Sequence, residues 1–293
     1  MAPASPKRRM GFHVSIGGGF PAAISRALER GCSCLQVFCG NPRGWQMEGR
    51  PAEEVEAFRR ARAEADLEPL FAHSCYLINP CSRDESVRRR SVRRLAEELE
   101  LSAAIGADCY VLHPGSHKGR QASWGVQRAA RSVVEVLGRV QAPPAVLLES
   151  MASPHGPGGE LATLGELAGR VQDAAPGVCI GLAIDSCHVF AAGYDLRQAA
   201  EVDRLVNGIE KAMGLDRLRL LHVNDARDPC GSRRDRHEHI GQGQIGEDGF
   251  RNLLGHPALR RLPLILETPW ESVDADRCNL AAVRRIAEEQ QNQ

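Results

Sequence analysis

The sequence has no excess of charge of either sign, because 37 basic residues balance 37 acidic ones. A neutral chain has no global field that draws it onto nucleic acid, so any affinity for phosphate must come from local patches or bound cations. The balance excludes a histone-like binder and is compatible with an enzyme.

The sequence also lacks a segment that would take the chain into or through a membrane. Its first ten residues, MAPASPKRRM, have no apolar core of the kind a signal peptide needs, and no uninterrupted apolar run approaches a membrane span. The basic run Lys7–Arg9 is too short to indicate targeting. We expect an intracellular protein without membrane contact, cytoplasmic or nucleoid-associated in a bacterium and nuclear or mitochondrial in a eukaryote.

Cysteine pairs with the spacing of a metal or redox motif are absent, since none of the ten cysteines belongs to a C-x-x-C motif. Cys34, Cys39, Cys109 and Cys179 lie within or beside apolar runs. This pattern predicts buried thiols in a reducing compartment and excludes a disulfide framework.

What the sequence does contain is an alternation of short apolar runs with segments of helical periodicity. Val87, Val92, Leu95 and Leu99 show the helical spacing, and Ser82 with Glu85 predicts a capping box ahead of them. The eight apolar runs predict strands at Phe12–Val14, Leu35–Phe38, Pro69–Ala72, Cys109–Leu112, Ala145–Leu148, Cys179–Ile184, Leu218–Val223 and Leu262–Leu266.

Eight such units predict a single (β/α)8 TIM barrel over residues 1–293, with flexible tails at 1–9 and 288–293. A doubly wound open sheet is the main competitor. Its phosphate-binding G-x-G-x-x-G turn is absent, because the Gly17–Gly19 run lacks that spacing.

Almost every predicted strand ends in a residue that can bind a metal ion. The C-terminal strand ends of a barrel form its active-site rim, and carboxylates buried there are costly unless cations compensate them. Asp235 and His237 lie one residue apart in an extended loop, so their side chains point the same way. With His13 left aside, the candidate ligands are His73, His113, Glu149, Asp185, His188, His222, Asp235, His237 and Glu267.

These nine candidates exceed the three protein ligands that one catalytic zinc ion needs. With a bridging carboxylate they serve about three zinc-like ions and leave positions for water or substrate. Nitrogen and oxygen donors suit zinc, with manganese or iron as alternatives. The concentrated positive charge favours an anionic substrate such as a phosphate.

Five regions form long motifs that span nearly the whole chain. They are HSCYLIN (73–79), HPGSH (113–117), IDSCHVFAAGYD (184–195), HVNDAR with GSRRDRHEHIGQGQIG (222–246) and LILET (264–268). From about His13 to Thr268 the chain resembles endonuclease IV, the zinc-dependent apurinic/apyrimidinic endonuclease family.

The resemblance implies three zinc ions per chain and assigns their ligands. The sets are His73, His113 and Glu149; then Glu149 as a bridge with Asp185, His222 and Glu267; then His188, Asp235 and His237. In that family a hydroxide bridging two zinc ions attacks the phosphate 5′ to an abasic site in duplex DNA and leaves a 3′-hydroxyl. Trimming of blocked 3′ ends is also expected. Glu149 and Glu267 are the implied catalytic residues.

The resemblance further implies loops that grip damaged double-stranded DNA around a nucleotide turned out of the helix. Arg43 and Trp45 follow the second strand, and Tyr76 and Leu77 follow the third, as in the loops that enter the minor groove. Arg236 belongs to a basic patch, with Arg227, Arg233 and Arg234, that could meet backbone phosphates. We expect a monomer.

The chain departs from the family pattern after Glu149. The family has an E-N-x-A-G-x-G type of run there, whereas this chain reads ESMASPHGPGG, so Ser150 replaces the amide and Pro154 and His155 enter the loop. Gln242 also stands where glutamate is common. We expect altered support around the metal site with the ligand itself retained.

Two other functions fit parts of this pattern. A xylose-isomerase-like sugar isomerase or epimerase would need only Glu149, Asp185, His222 and Glu267, and would leave the other five ligands without a role. A barrel that binds damaged DNA without cutting it would have no use for a complete ligand set.

Overall fold

A computed structural model describes residues 7–289, in which eight parallel strands close into a barrel. The TIM barrel is thereby confirmed. The barrel strands are β1 (Met10–Val14), β2 (Cys34–Phe38), β3 (Leu70–His73), β4 (Cys109–Leu112), β5 (Ala145–Glu149), β6 (Ile180–Asp185), β7 (Leu218–His222) and β10 (Leu264–Leu266); β8 (Asp225–Ala226) and β9 (His237–Glu238) form a separate antiparallel pair. Around the barrel the order is β1, β10, β7, β6, β5, β4, β3, β2.

Helices follow the strands and pack around the barrel. Most bury one apolar face, as Leu205 and Ile209 do on α7. The helices are α1 (Phe20–Arg30), α2 (Ala52–Glu64), α3 (Glu85–Ala104), α4 (Ala122–Leu137), α5 (Leu161–Ala174), α6 (Ser186–Ala192), α7 (Ala199–Met213), α8 (Gly246–Gly255) and α9 (Val273–Glu289). Among the helices within residues 7–289, none combines the length and apolar character that crossing a bilayer requires.

The interior of the barrel is filled by one layer of apolar side chains. On β1 the corresponding position in this layer is Gly11. A side chain does not fit there, because a Cβ would lie 1.8 Å from the Cys34 carbonyl oxygen. Side chains two positions apart on a strand point to the same face. The residues two positions after the apolar layer therefore form the next layer, towards the C-terminal end of the barrel. The apolar layer consists of Cys34, Phe71, Val111, Leu147, Ala183, Leu220 and Ile265.

Local details correct three predictions. Asp84, rather than Ser82, caps α3, because its carboxylate accepts hydrogen bonds from the backbone N–H groups of Ser86 and Val87. All ten cysteines are free, but Cys179 is exposed and Cys109 is only partly buried. Cys109 is the first residue of β4 and Cys179 immediately precedes β6, where the apolar run has not yet entered the core.

The predicted tails, 1–9 and 288–293, lie largely outside the described residues. Within them, the Arg8 guanidinium donates to the backbone oxygens of Leu262 and Leu259 at 2.8 and 2.7 Å. Arg9 pairs with Asp66 at 2.9 Å.

Candidate active site

Seven polar residues stand two positions after the seven apolar residues of the inner layer, one on each strand or directly after it. The two-residue period of a strand therefore converts an apolar layer into a polar one at the C-terminal end of the barrel. His13, two positions after Gly11, occupies the eighth place. The polar layer consists of Gln36, His73, His113, Glu149, Asp185, His222 and Glu267.

Glu149 lies at the centre of this layer and is fully buried. Its Oε2 is 3.2 Å from His73 Nε2 and 2.9 Å from His113 Nε2, and its Oε1 is 3.0 Å from His222 Nδ1. Two clusters of donor atoms meet at it, each with all its atoms within 4.8 Å of one another: His73, His113 and Glu149, and Glu149, Asp185, His222 and Glu267. The structure thus brings together the first two sets inferred from the sequence.

The third inferred set converges from two elements. His188 lies on α6, and the β8–β9 hairpin folds back over the barrel mouth with His237 on β9 and Asp235 just before it. The Asp235 carboxylate reaches His188 Nε2 at 3.1 Å and His237 Nε2 at 3.2 Å. Asp185 joins the same two imidazoles within 4.8 Å, so it adjoins both the second and the third set.

Cys187 also lies within 4.8 Å of Asp235 and His237, a neighbour that the sequence interpretation did not include. Burial and the nearby Asp185 carboxylate raise the pKa of its thiol well above the ordinary value. The sulfur contacts the Arg236 carbonyl oxygen at 3.6 Å. A protonated thiol is a poor ligand, which agrees with a site of nitrogen and oxygen donors.

Four histidines each use one ring nitrogen on a protein acceptor and direct the other into the site. His73 Nδ1 bonds Ser74 O at 2.9 Å, His188 Nδ1 bonds Ser150 O at 2.7 Å, and His237 Nδ1 bonds Glu267 O at 2.9 Å. His222 uses Nε2 on Gln36 Oε1 at 2.9 Å. The buried Nε2 atoms of His188 and His237 lie 3.1 and 3.2 Å from the Asp235 carboxylate, outside hydrogen-bond geometry. Metal-binding histidines are held in this way, which fixes the tautomer.

The carboxylates and imidazoles shift one another's pKa in opposite directions. Burial would raise the pKa of Glu149, but the neighbouring His113 and His222 bring it well below the ordinary value. Burial would lower the pKa of His222, but the charges of Glu267 and Glu149 raise it to about 9. His237 behaves likewise, because Asp235 and Asp185 outweigh burial and raise its pKa to about 9. Without a metal ion, protons balance the buried negative charge.

Two buried amides that were not among the inferred site residues orient the ligands. Gln36 Nε2 donates to Glu267 Oε1 at 2.7 Å while its oxygen accepts from His222. Asn224 Nδ2 donates to Asp185 Oδ2 at 2.6 Å and its Oδ1 accepts from the Glu267 backbone N–H at 2.7 Å. The available signal was a glutamine inside the apolar strand CLQVF, since a buried amide needs partners.

Ser150, the residue that departs from the family pattern, supports two ligands. Its hydroxyl oxygen accepts from the Asp185 backbone N–H at 3.1 Å, and its carbonyl oxygen accepts from the His188 ring. The loop that follows is tied to the loop after β4, because the His155 carbonyl accepts from the His117 N–H at 2.7 Å. These contacts give this loop its own support for the site.

Asp225, three residues beyond His222, is an anchor and not a ligand. Its buried carboxylate accepts from the backbone N–H groups of Ala226, Gly241, Gly243, Ile245 and Gly246 at 2.8 to 3.4 Å. These bonds fix the turn that contains Gln242 and leads into α8. All of its lone pairs are engaged by the protein.

A cavity of about 1040 Å³ opens above the candidate ligands, and two of the five residues that the sequence assigned to DNA line it. Arg43 and Tyr76 do so, next to His73, His113, His188, Asp235, His237 and Glu267. Tyr76 is exposed, and its ring contacts Phe38 edge-on with centroids 5.2 Å apart. Its backbone N–H donates to Pro42 O at 3.1 Å, which couples the loops after β2 and β3.

The other residues assigned to DNA lie outside that cavity wall. Trp45 is partly buried and packs against Arg90, whose guanidinium carbon is 4.6 Å from the ring centroid. Leu77 is partly buried against the core, and Arg236 is half exposed and pairs with Asp228 at 3.2 Å. Their assignment to DNA stays a prediction.

Comparisons with known proteins agree with this architecture. The profile of the "Xylose isomerase-like TIM barrel" family matches residues 24–291. A relative from Halothermothrix orenii, "Probable endonuclease 4", is 39% identical over 262 residues, which cover 89% of this chain and 93% of the relative. A D-tagatose 3-epimerase-like protein, 18% identical with a TM-score of 0.70 over 96% of this chain and 100% of its own, shares the fold alone.

A second enzyme resembles this chain in both sequence and structure. The crystal structure of endonuclease IV from Thermus thermophilus superposes with a TM-score of 0.83 at 33% identity, covering 96% of this chain and 99% of that one. The match of the family profile and the full-length similarity to these endonucleases lead to one conclusion. The chain belongs to the xylose isomerase-like TIM barrel family and, within it, to the endonuclease IV group.

Proposed function

We propose that this protein is a zinc-dependent endonuclease that hydrolyses the phosphodiester 5′ to abasic sites in duplex DNA, leaves a 3′-hydroxyl and also trims blocked 3′ ends. The observation that carries the proposal is the set of four histidines with one nitrogen anchored and the other directed at carboxylates. Of these carboxylates, Glu149 and Asp185 are buried and Asp235 is about half exposed. Every ion-pair partner of Glu149, Asp185 and Asp235 within residues 7–289 is a histidine. Such a group needs cations to compensate it.

The donor set suits three zinc ions, held by the three sets inferred from the sequence. When bound, zinc ions supply an activated water at neutral pH and positive charge for the phosphoryl oxygens. Glu149, shared by two clusters, would bridge two of the ions, and Glu267 would complete the second set. Gln36 and Asn224 hold these carboxylates in one orientation, so little rearrangement is needed during reaction.

Abasic DNA fits the cavity and the loops around it. An abasic nucleotide leaves the helix at low cost because no base is unstacked or unpaired, and about 1040 Å³ accommodates its sugar and phosphates. Arg43 and Tyr76 line the entrance and would contact the duplex, with Trp45, Leu77 and Arg236 further out. The partner is therefore damaged double-stranded DNA, met by a monomer in a compartment that holds DNA.

The competing activity is sugar isomerisation, which shares the fold. An aldose site needs one or two divalent ions and would use only the Glu149, Asp185, His222 and Glu267 cluster. It gives no role to the convergence of His188 and His237 on Asp235. The extra ligands favour the nuclease.

Metal analysis combined with an incision assay tests the proposal. We expect about three tightly held zinc ions per chain and single-strand incision 5′ to an abasic site in a labelled duplex. Prolonged stripping with a strong chelator should abolish incision, and added zinc should restore it. One ion per chain, no cut in abasic duplex and conversion of an aldose or ketose would overturn the proposal in favour of the isomerase.

A further inference from the structure

Two large exposed aromatic side chains flank the active-site cavity. Among the described residues, the large hydrophobic side chains that are exposed are Leu28, Tyr76 and Trp270, at 51%, 59% and 63%. Tyr76 and Trp270 both line the cavity, whereas Leu28 lies on α1 and is not part of its wall. Tyr76 already has an assigned role in DNA contact. Trp270, in the loop between β10 and α9, has none.

The indole of Trp270 is supported from below by a buried ion pair. The Arg30 guanidinium carbon lies 4.7 Å from the centroid of the Trp270 ring, in cation–π contact. Arg30 Nε donates to Asp276 Oδ2 at 2.7 Å, and its Nη1 donates to the Arg26 carbonyl oxygen at 2.9 Å. Arg30 and Asp276 are both buried, so the support under the ring is held in place. The ring nevertheless stays largely exposed.

Trp270 lies within reach of DNA bound at the candidate metal site. It follows the ligand candidate Glu267 by three residues, so their Cα atoms are at most about 11 Å apart. A DNA strand advances about 3.4 Å per nucleotide, which places the neighbours of the reacting phosphate within this distance. Trp270 also borders a second cavity of about 620 Å³, whose wall shares His13, Ser15, Glu267 and Thr268 with the first.

We propose that Trp270 is a substrate-binding residue whose exposed face stacks on a deoxyribonucleotide next to the scissile phosphate; this rests on the function proposed above. Aromatic stacking on bases is independent of sequence, as a lesion-directed enzyme requires. The position of the indole favours a nucleotide over a protein partner, because Trp270 shares the wall of both cavities with the metal-ligand candidate Glu267. Tyr76 and Trp270 then contact the DNA from two different loops.

Steady-state kinetics of the zinc-loaded full chain test the stacking role. We expect Trp270→Ala to raise KM for abasic duplex about tenfold, with kcat within about twofold and unchanged zinc content. Trp270→Phe should recover most of the affinity because it keeps an aromatic face. Leu28→Ala, which removes an exposed apolar side chain of similar exposure outside the cavity wall, should leave KM unchanged.

Fluorescence gives a readout that does not depend on turnover. The chain has three tryptophans, so Trp45→Phe with Trp124→Phe leaves Trp270 as the sole indole. Stopped-flow mixing of this variant with abasic duplex should quench its emission in a phase that precedes incision. The matched variant that keeps only Trp124, which lines neither cavity, should show no such phase.

The outcomes separate the two proposals. Incision by the wild-type protein, with unchanged KM in Trp270→Ala and no quenching of Trp270, overturns the stacking role alone. A raised KM that Phe rescues, together with quenching before incision, supports it. Failure of the wild-type protein to cut abasic duplex overturns the proposed function and the stacking role that rests on it.

Discussion

Two buried glutamates of this barrel have opposite kinds of surroundings. Glu98 on α3 accepts from Arg94 Nε at 2.7 Å, from the Tyr110 hydroxyl at 2.5 Å and from the Cys75 backbone N–H at 3.1 Å. Glu149 on β5 is surrounded instead by imidazoles, whose charge depends on protonation. Both carboxylates are fully or almost fully buried.

The difference separates a structural charge from a candidate metal ligand. Glu98 has a permanent cation, Arg94, on Oε1 and two neutral donors on Oε2, so the protein alone satisfies it. Around Glu149, every ion-pair partner within residues 7–289 is an imidazole, whose charge depends on a proton that a metal ion can replace. A buried carboxylate is therefore a candidate ligand when its partners are titratable imidazoles, and burial alone does not distinguish the two cases.

The Glu98 group also supports the loops at the mouth of the barrel. Arg94 donates to the Gln46 carbonyl oxygen at 2.6 Å, and Glu98 holds the N–H of the residue before Tyr76. The Arg94–Glu98 ion pair thus holds the backbone of the two loops whose side chains are predicted to contact DNA.

The largest effect on incision should come from replacing Glu149, the glutamate surrounded by imidazoles. Glu149→Gln replaces the carboxylate proposed to bridge two ions with a neutral amide that would bridge two dications poorly, so incision should fall about a thousandfold or more with the fold retained. Incision rates at matched zinc content and circular dichroism measure this. Near-normal turnover of fully loaded Glu149→Gln would remove Glu149 from the reaction.

Replacing Glu98, the glutamate paired with Arg94, should lower the free energy of unfolding and leave incision unchanged. Glu98→Gln leaves the Arg94 charge buried without its counterion, so the free energy of unfolding should fall by about 3 kcal/mol. Urea denaturation measures this, and zinc content should not change. The double variant Arg94→Met with Glu98→Gln is the control, because removing both charges should cost less. Loss of zinc from Glu98→Gln would contradict the distinction.

Loop residues at the cavity should affect affinity alone. Replacing Arg43 or Tyr76 by Ala should weaken binding to abasic duplex about tenfold, because a phosphate contact or a stacking surface is lost. Arg170→Ala is the matched control, since Arg170 on α5 pairs with Glu166 at 2.9 Å and does not line the cavity. Fluorescence anisotropy and metal analysis should separate affinity from zinc content. Zinc loss in Tyr76→Ala would indicate a structural role.

The smallest effect is a dependence on pH. In the metal-free fold the pKa values of His222 and His237 are about 9, raised from 6.5 because nearby carboxylates outweigh burial. Their stabilising effect is full below pH 6.5 and is lost as the pH rises through 9. Stripped protein should therefore lose stability over this range in urea titrations.

Zinc binding should be coupled to the deprotonation of the same two histidines. A bound imidazole must be neutral, so zinc binding at pH 7.5 should release about one proton from each of these two histidines. Calorimetry in two buffers of different ionisation enthalpy measures the release. Binding without proton release would contradict the coupling.

Short-range sequence patterns account for most of the fold and for the ligand set. Apolar runs mark the strands because a strand of a parallel barrel is buried on both faces. Residues at the strand ends share one rim, so types such as His73, Glu149 and Glu267 could be assigned before any distance was known. The long motifs identified the family for the same reason, since their spacing follows the strand–loop unit.

The roles of other residues depend on partners that are distant in the chain. Gln36 contacts His222, 186 residues away, and Glu267, 231 residues away. Asp225 and Asp185 both end apolar runs, yet one meets five backbone N–H groups and the other two imidazoles. Trp270 packs one face of its ring on Arg30, which belongs to the first helix, with the guanidinium carbon 4.7 Å from the ring centroid. Periodicity assigns a side chain to a face, but only closure of the barrel decides what that face meets.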